Sequence, residues 1–174
     1  MINSIFDTTQ LNSLFEELNK AKSILIFGHK SPDGDSIGST LGLFHYLRNK
    51  GIKSQVIQPD NYPSFLKWMP ENESMLIFDK KKEEVAELIA KADVIFTLDF
   101  NDQTRVGREL GELITQASCT KVMLDHHQEP KDYAKYTFSD VTACSTCQLV
   151  YELIEANGDL DLIDENTGDC IYTG

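Results

Sequence analysis

Hydrophobic residues along the chain alternate between short continuous runs and longer stretches in which they recur every three or four positions. The short runs predict buried strands over residues 23–27, 53–58, 75–78, 94–99 and 121–124. The longer stretches predict helices that bury one face. The first of these helices begins at Thr8 or Thr9 and ends near Lys22, and the others cover residues 34–50, 80–92, 105–117, 145–156 and 164–172.

The order of these elements predicts the fold class. Strands that alternate with helices need crossover connections, and such connections produce a largely parallel sheet with helices on both faces. We therefore predict an α/β fold with three layers and a Rossmann-like, mostly parallel sheet. The 174 residues show no internal repeat and no break in composition, so a single domain is expected.

The composition narrows the classes of function. Hydrophobic residues make up 41% of the chain and charged residues 25%, as in ordinary globular proteins. The formal net charge of −12 disfavours long duplex nucleic acid, which requires a basic surface. The longest apolar run, Ile24–Phe27, is too short to span a membrane, and the first residues lack the pattern of a signal peptide. We therefore expect a cytoplasmic protein with no membrane partner.

Two other chemistries are less well supported by the sequence. Cys144 and Cys147 have the spacing of a redox pair, but sparse and irregular cysteines are more typical of ordinary thiols in a reducing compartment. The segment around Gly38 lacks the lysine of a phosphate-binding P-loop, and no dinucleotide-binding glycine pattern follows a strand. Redox, ATPase and dehydrogenase functions are therefore disfavoured.

Residues that commonly bind metals follow three of the predicted strands. Taken singly, each has an ordinary explanation as a turn former, a helix cap or a polar loop residue. The carboxyl ends of parallel strands meet at one edge of a sheet, however, so residues far apart in sequence can converge there. The candidate metal ligands are His29, Asp33, Asp35, Asp99 and His126, with Asp125 and His127 beside them.

The mixture of histidine and aspartate indicates which cations would bind. Histidine and carboxylate together suit manganese, iron or zinc, and the share of carboxylates favours manganese or magnesium. Two divalent cations are expected, manganese first, with magnesium, cobalt or zinc as alternatives. Asp99 is the expected bridge between two ions that would activate a water and stabilise a displacement at phosphorus.

Three segments also carry a family resemblance. Residues 28–36 (GHKSPDGDS), the pair Leu98-Asp99 and the triplet Asp125-His126-His127 resemble the first three motifs of the DHH phosphoesterases. With Gly38-Ser39 and residues 145–152 (STCQLVYE) included, the pattern is most similar to the branch of oligoribonucleases and 3′-phosphoadenosine 5′-phosphate phosphatases. The resemblance spans nearly the whole chain.

This resemblance implies two metal sites that share one carboxylate. The ligands would be His29, Asp33 and Asp99 for one metal, and Asp35, Asp99 and His126 for the other. His127 would act in catalysis and contact the substrate phosphate, while Asp125 would orient a histidine. Arg105, which follows the Asp99 segment, is a further candidate for binding substrate.

The predicted function is hydrolysis of short oligoribonucleotides, of 3′-phosphoadenosine 5′-phosphate, or of both. A manganese-dependent inorganic pyrophosphatase and a non-catalytic nucleotide-binding module are the alternatives. In the family, a fourth motif with a metal-binding aspartate follows a Tyr-Thr-Gly segment, and here Tyr172-Thr173-Gly174 ends the sequence. Residues 1–174 are therefore expected to be a catalytic domain that lacks this motif and the C-terminal substrate-binding domain, and to be weak or inactive alone. A homodimer is compatible with this interpretation.

Overall fold

The computed structural model describes residues 5–174, which form six strands and six α-helices. The strands are β1 (Ile24–Phe27), β2 (Gln55–Gln58), β3 (Leu76–Ile77), β4 (Val94–Leu98), β5 (Thr120–Asp125) and β6 (Tyr136–Ser139). The helices are α1 (Thr8–Lys20), α2 (Gly34–Asn49), α3 (Lys82–Ala90), α4 (Arg108–Gln116), α5 (Thr146–Ala156) and α6 (Glu165–Thr173). Among the described residues, no helix has the length and apolar character needed to cross a membrane.

All neighbouring strands of the sheet are parallel, and their order is β3-β2-β1-β4-β5-β6. The direction in which the chain adds strands reverses between β1 and β4. In open parallel sheets, ligands bind outside the carboxyl ends of the strands at such a reversal point. The predicted α/β class is confirmed, and the sheet is wholly parallel where a mostly parallel one was expected.

Each face of the sheet has its own hydrophobic core. Ile24 and Ile26 of β1 pack with α1, α2, α5 and α6 on one face, whereas Leu25 and Phe27 pack with α3 and α4 on the other. Strands buried on both faces need apolar residues at successive positions, and this is why they appear in the sequence as continuous apolar runs. The three predicted layers follow from this arrangement.

Several boundaries differ from those predicted. The sequence did not predict β6, because the strand is short and only Tyr136 and Phe138 in it are buried. Helix α4 begins at Arg108 rather than at residue 105, because Gly107 adopts a φ of 87° and separates it from a short 3-10 helix, Gln103–Val106. The N-cap of α1 is Asp7, whose carboxylate accepts hydrogen bonds from the amides of Thr9 and Gln10, and not one of the threonines.

Two helical glycines, Gly111 in α4 and Gly168 in α6, differ in how closely their surroundings pack against them. A Cβ atom on Gly111 would lie 2.5 Å from the carbonyl oxygen of Gln103, whereas a Cβ on Gly168 would meet no atom within 4 Å. Alanine is preferred over glycine within helices by about 0.8–1.0 kcal/mol, so Gly168→Ala should raise the free energy of unfolding by up to that amount. Gly111→Ala should instead lower it by about 1–3 kcal/mol through overpacking. Urea denaturation measures both changes, and equal stabilisation by the two substitutions would contradict the packing described.

Candidate metal centre

A cluster of histidine and aspartate side chains lies at the carboxyl ends of β1, β4 and β5. His29 follows β1, Asp99 follows β4, Asp125 ends β5, and His126 comes directly after it. The reversal point lies between β1 and β4, and β5 is the neighbour of β4. The parallel sheet therefore brings together side chains that are up to about a hundred positions apart in the sequence.

The first group of possible ligands surrounds the ring of His29. Its Nε2 atom lies 3.2 Å from Oδ2 of Asp99 and 3.9 Å from Oδ1 of Asp33. Its Nδ1 atom lies 2.9 Å from the carbonyl oxygen of Lys30, to which it can donate a hydrogen bond. With the proton on Nδ1, the lone pair of Nε2 is free for a cation. The ligand atoms of His29, Asp33 and Asp99 lie within 4.8 Å of one another, close enough to share one metal ion.

The second group surrounds the ring of His126. Its Nε2 atom lies 3.5 Å from Oδ2 of Asp35 and 3.6 Å from Oδ1 of Asp99. Its Nδ1 atom lies 3.2 Å from the carbonyl oxygen of Ala143, so Nε2 is again the nitrogen available as a ligand. Asp99 therefore has one oxygen near His29 and the other near His126, which is the arrangement expected of a bridging carboxylate.

The position of Asp99 depends on its backbone and on a threonine from a distant helix. Asp99 has a φ of 65°, a left-handed conformation that aspartate and asparagine tolerate better than most residues. Its side chain is buried, and Oδ1 accepts a hydrogen bond of 3.0 Å from the hydroxyl group of Thr146 at the start of α5. The sequence predicted no individual role for Thr146; the available signals were its place at the start of a predicted helix and in the segment 145–152 that carries the family resemblance.

The carboxylate of Asp35 is held by the amino terminus of α5. Its two oxygens accept hydrogen bonds from the backbone N–H groups of Thr146 and Cys147, at 2.7 and 2.8 Å. Burial and the nearby negative charge of Asp99 raise the pKa of Asp35 to about 6, although these two hydrogen bonds oppose the change. The helix end thus offsets only part of the cost of placing a carboxylate here.

His29 experiences opposing effects on its protonation. Burial lowers the pKa of His29, but the hydrogen bonds to Asp99 and to the Lys30 carbonyl, together with the negative charges of Asp99 and Asp33, raise it by more. The pKa of His29 therefore lies above its ordinary value. The surroundings of Nε2 favour a positive charge, which a cation bound between these ligands would also supply.

His127 is oriented by a buried carboxylate. Oδ1 of Asp125 lies 2.8 Å from Nδ1 of His127, and Oδ2 accepts a hydrogen bond of 3.0 Å from the backbone N–H of the same residue. His127 Nδ1 also lies 3.8 Å from Asp99, and Asp99, His126 and His127 could by distance hold a metal. Because Asp125 already engages Nδ1 at a shorter distance, we favour Asp35 over His127 as the third ligand of this group.

Arg105 lies at the rim of the cluster. Its carbonyl oxygen accepts a hydrogen bond of 2.9 Å from the N–H of Lys30, next to His29, and its side chain is exposed.

The cysteine pair Cys144 and Cys147 lacks the features of a redox site. Cys147 is buried, and burial raises the pKa of its thiol well above the ordinary value, which opposes formation of the reactive thiolate.

Comparisons of sequence show which proteins this chain resembles. The profile described as the DHH family, N-terminal domain, matches residues 23–174. The chain is 28% identical over 135 residues to the bifunctional oligoribonuclease and PAP phosphatase NrnA of Thermus thermophilus, covering 78% of this chain and 37% of the relative. It is 24% identical over 170 residues to the cyclic-di-AMP phosphodiesterase PdeA of Listeria monocytogenes, covering 93% of this chain and 25% of the relative.

A solved structure is also similar. The crystal structure of an exopolyphosphatase-related protein from Bacteroides fragilis matches 97% of this chain with a TM-score of 0.93 and 38% sequence identity. The chain covers 49% of that protein. It therefore spans less than half the length of each of these three relatives.

Replacing Asp99 by asparagine tests whether this carboxylate serves both metal groups. Asparagine tolerates the same left-handed backbone, so the change removes the charge and one ligand oxygen without straining the fold. We expect the affinity for Mn²⁺ to fall by more than about 10- to 100-fold, the range for losing a group that only orients a ligand. Isothermal titration calorimetry measures this affinity.

The matched control is Asp102→Asn in the same segment. The Asp102 carboxylate accepts a hydrogen bond from the N–H of Thr104 at 2.9 Å, and asparagine can replace it in that interaction. This variant should bind Mn²⁺ as the unchanged chain does. Undiminished binding by Asp99→Asn would show that Asp99 is not a shared ligand.

Proposed function

Because the chain belongs to the DHH family, we propose that it is the catalytic domain of a metal-dependent phosphoesterase. The observation that carries the proposal is the position of Asp99, with one oxygen 3.2 Å from His29 and the other 3.6 Å from His126. A carboxylate in this place can be shared by two cations close enough together to stabilise both the attacking and the leaving oxygen of a displacement at phosphorus.

The donor set fits two divalent cations. In our proposal, His29, Asp33 and Asp99 hold one cation, and Asp35, Asp99 and His126 hold the other. Mixed imidazole and carboxylate ligands favour manganese, with magnesium, cobalt or zinc as alternatives. When bound, such cations supply Lewis-acid stabilisation of the phosphoryl oxygens and make water a nucleophile near neutral pH.

The remaining residues of the site orient the reacting groups. We propose that Asp125 fixes the ring of His127 through Nδ1, so that Nε2, when protonated, donates a hydrogen bond to a phosphate oxygen of the substrate. The amino terminus of α5 and the Thr146 hydroxyl keep Asp35 and Asp99 directed at the cations. Arg105, exposed at the rim, is proposed to contact a substrate phosphate.

The proposed substrates are short oligoribonucleotides, 3′-phosphoadenosine 5′-phosphate, or both. The similarity to the Thermus relative supports this choice, and a chain with a net charge of −12 favours small substrates over long duplexes. Inorganic pyrophosphatase activity and non-catalytic nucleotide binding are the rival proposals. That residues 1–174 form the catalytic domain of a longer protein, that it acts in the cytoplasm and that it forms a homodimer stay predictions.

Hydrolysis assays with Mn²⁺ separate these functions. We expect slow, metal-dependent release of mononucleotides from di- and tri-adenylate, or of phosphate from 3′-phosphoadenosine 5′-phosphate, when protein is in excess over substrate. Chelation of the metal and Asp99→Asn should each abolish it. Faster cleavage of pyrophosphate would support the pyrophosphatase instead. Nucleotide binding without any metal-dependent cleavage would overturn catalysis by residues 1–174.

Asp125→Asn tests the orienting contact with His127. The buried carboxylate accepts from both the backbone N–H and the ring of His127, and an asparagine must turn its NH₂ group towards one of them. We expect kcat to fall by about 10- to 100-fold, as for other groups that orient a functional histidine, with Mn²⁺ affinity little changed.

The matched control is Asp140→Asn. The Asp140 carboxylate accepts a hydrogen bond of 2.8 Å from the N–H of Thr142 near the end of β6, and this change should leave kcat unaltered. A parallel loss of Mn²⁺ binding in Asp125→Asn would instead assign Asp125 to the metal site.

A further inference from the structure

The connection between β2 and β3 exposes two large aromatic side chains. Phe65 is 71% exposed and Trp68 is 59% exposed, whereas Leu66 and Met69 are only 2% and 1% exposed. The two exposed residues are three positions apart, and so are the two buried ones. One side of this connection therefore packs in the core, and the other side is open to solvent. We call residues 59–75 the aromatic connection.

Hydrogen bonds fix the conformation of the aromatic connection. Asn72 accepts a hydrogen bond of 2.6 Å from the hydroxyl group of Tyr62 and donates to the carbonyl oxygens of Lys67 and Met69, both at 2.8 Å. Phe65 and Trp68 therefore project from an ordered segment. A flat apolar ligand that packed against them would have little backbone to order, which favours binding.

The aromatic connection lies beside the proposed metal centre. It leaves the carboxyl end of β2, and β2 pairs with β1, whose carboxyl end leads to His29. The N–H of Ser31 donates a hydrogen bond of 2.8 Å to Asp60, which joins the two segments. A cavity of about 350 Å³ between them is lined by Ser31, Pro32 and Tyr62, among others. Ser31 and Pro32 directly precede Asp33.

Lysines lie on the other side of the aromatic connection. A groove of about 440 Å³ is lined by Tyr62, Lys67, Lys80 and Lys81, with Glu73 as its one acidic lining residue. Lys81 is 3.0 Å from Glu84, but Lys67 and Lys80 form no ion pair within the part of the chain that the structure describes. In a chain with a net charge of −12, this groove is a local positive site. Asn61 and Tyr62 line both cavities, so the two cavities are neighbours.

We propose that the aromatic connection, with Lys80, binds the nucleotide next to the scissile bond in a short single-stranded substrate. A base stacks on Phe65 and Trp68, and a phosphate contacts Lys67 and Lys80. Aromatic stacking together with a basic groove is the usual means of binding single-stranded nucleic acid without sequence preference. This inference rests on the proposed function, because it places the reacting phosphate at the proposed metal centre. It predicts that the chain prefers oligonucleotides to mononucleotides.

The chain contains a single tryptophan, so Trp68 fluorescence reports directly on this site. The probe is a tri-adenylate with phosphorothioate linkages, which resist hydrolysis, and adenosine monophosphate is the comparison. We expect the trinucleotide to quench Trp68 and to bind at least fivefold more tightly than the mononucleotide, given about 1–3 kcal/mol per stacked base.

Variants that keep Trp68 locate the contacts. Phe65→Ala should weaken trinucleotide binding about fivefold or more. Lys67→Gln should make trinucleotide binding less dependent on salt, lowering the slope of log K against log salt by about 0.7. Leu160→Ala is the control, because Leu160 is also exposed, at 43%, but lies beyond the far end of α5. This control should bind the trinucleotide like the unchanged chain.

Several results would overturn the inference. These are no quenching by the trinucleotide, unchanged affinity in Phe65→Ala and Lys67→Gln, or a dimer in sedimentation that Trp68→Ala dissociates. Mn²⁺-dependent cleavage of bis(p-nitrophenyl) phosphate, measured in parallel, should be unchanged in the Leu160→Ala control. Its absence alongside intact quenching would reject catalysis and leave the nucleotide site standing, while its presence without quenching would reject the nucleotide site alone.

Discussion

Three carboxylates are held together at one edge of the sheet, almost out of contact with water. Asp99 and Asp125 are buried and Asp35 is largely so, and burying like charges side by side is unfavourable unless other groups compensate. Backbone amides compensate for Asp35, a hydroxyl group and histidines for Asp99, and the ring and amide of His127 for Asp125. Within residues 5–174, no lysine or arginine forms an ion pair with any of the three. The cluster thus has the excess of negative charge that a divalent cation would neutralise.

The starts of helices α2 and α5 hold the clustered carboxylates in place. Asp33 accepts a hydrogen bond from the N–H of Ser36 and so caps α2, while Asp35 lies in the first turn of the same helix. Ser145 caps α5 through the N–H of Gln148, which leaves the two preceding amides to bind Asp35. The same residues therefore begin the helices and shape the cluster. A substitution that weakened either helix start would also displace candidate ligands.

The residues that converge could be predicted from the sequence because their convergence follows from topology. Once apolar runs predict parallel strands, the polar residues after each run must meet at one edge, and His29, Asp99 and His126 do so. What could not be predicted depends on contacts between distant segments, such as the hydroxyl of Thr146 on Asp99. The exposure of Trp68 was equally hidden, because aromatic residues in a proline-containing segment are as compatible with burial as with exposure. Strand β6 escaped prediction because an edge strand with alternate burial is too short to show a period.

Charge and geometry together set a limit on substrate length. A net charge of −12 repels polyanions, and at physiological salt this repulsion acts over only about 8 Å. A substrate of two or three nucleotides that stayed between the proposed metal centre and the lysine groove would meet positive charge at its two ends, from the proposed cations and from the lysines. Each further nucleotide would extend beyond the groove and add charge facing an acidic surface, with no contact to offset it. In the proposed binding mode, the affinity gained by stacking on the aromatic connection would therefore be limited to the first few nucleotides, and short fragments would be preferred to long chains.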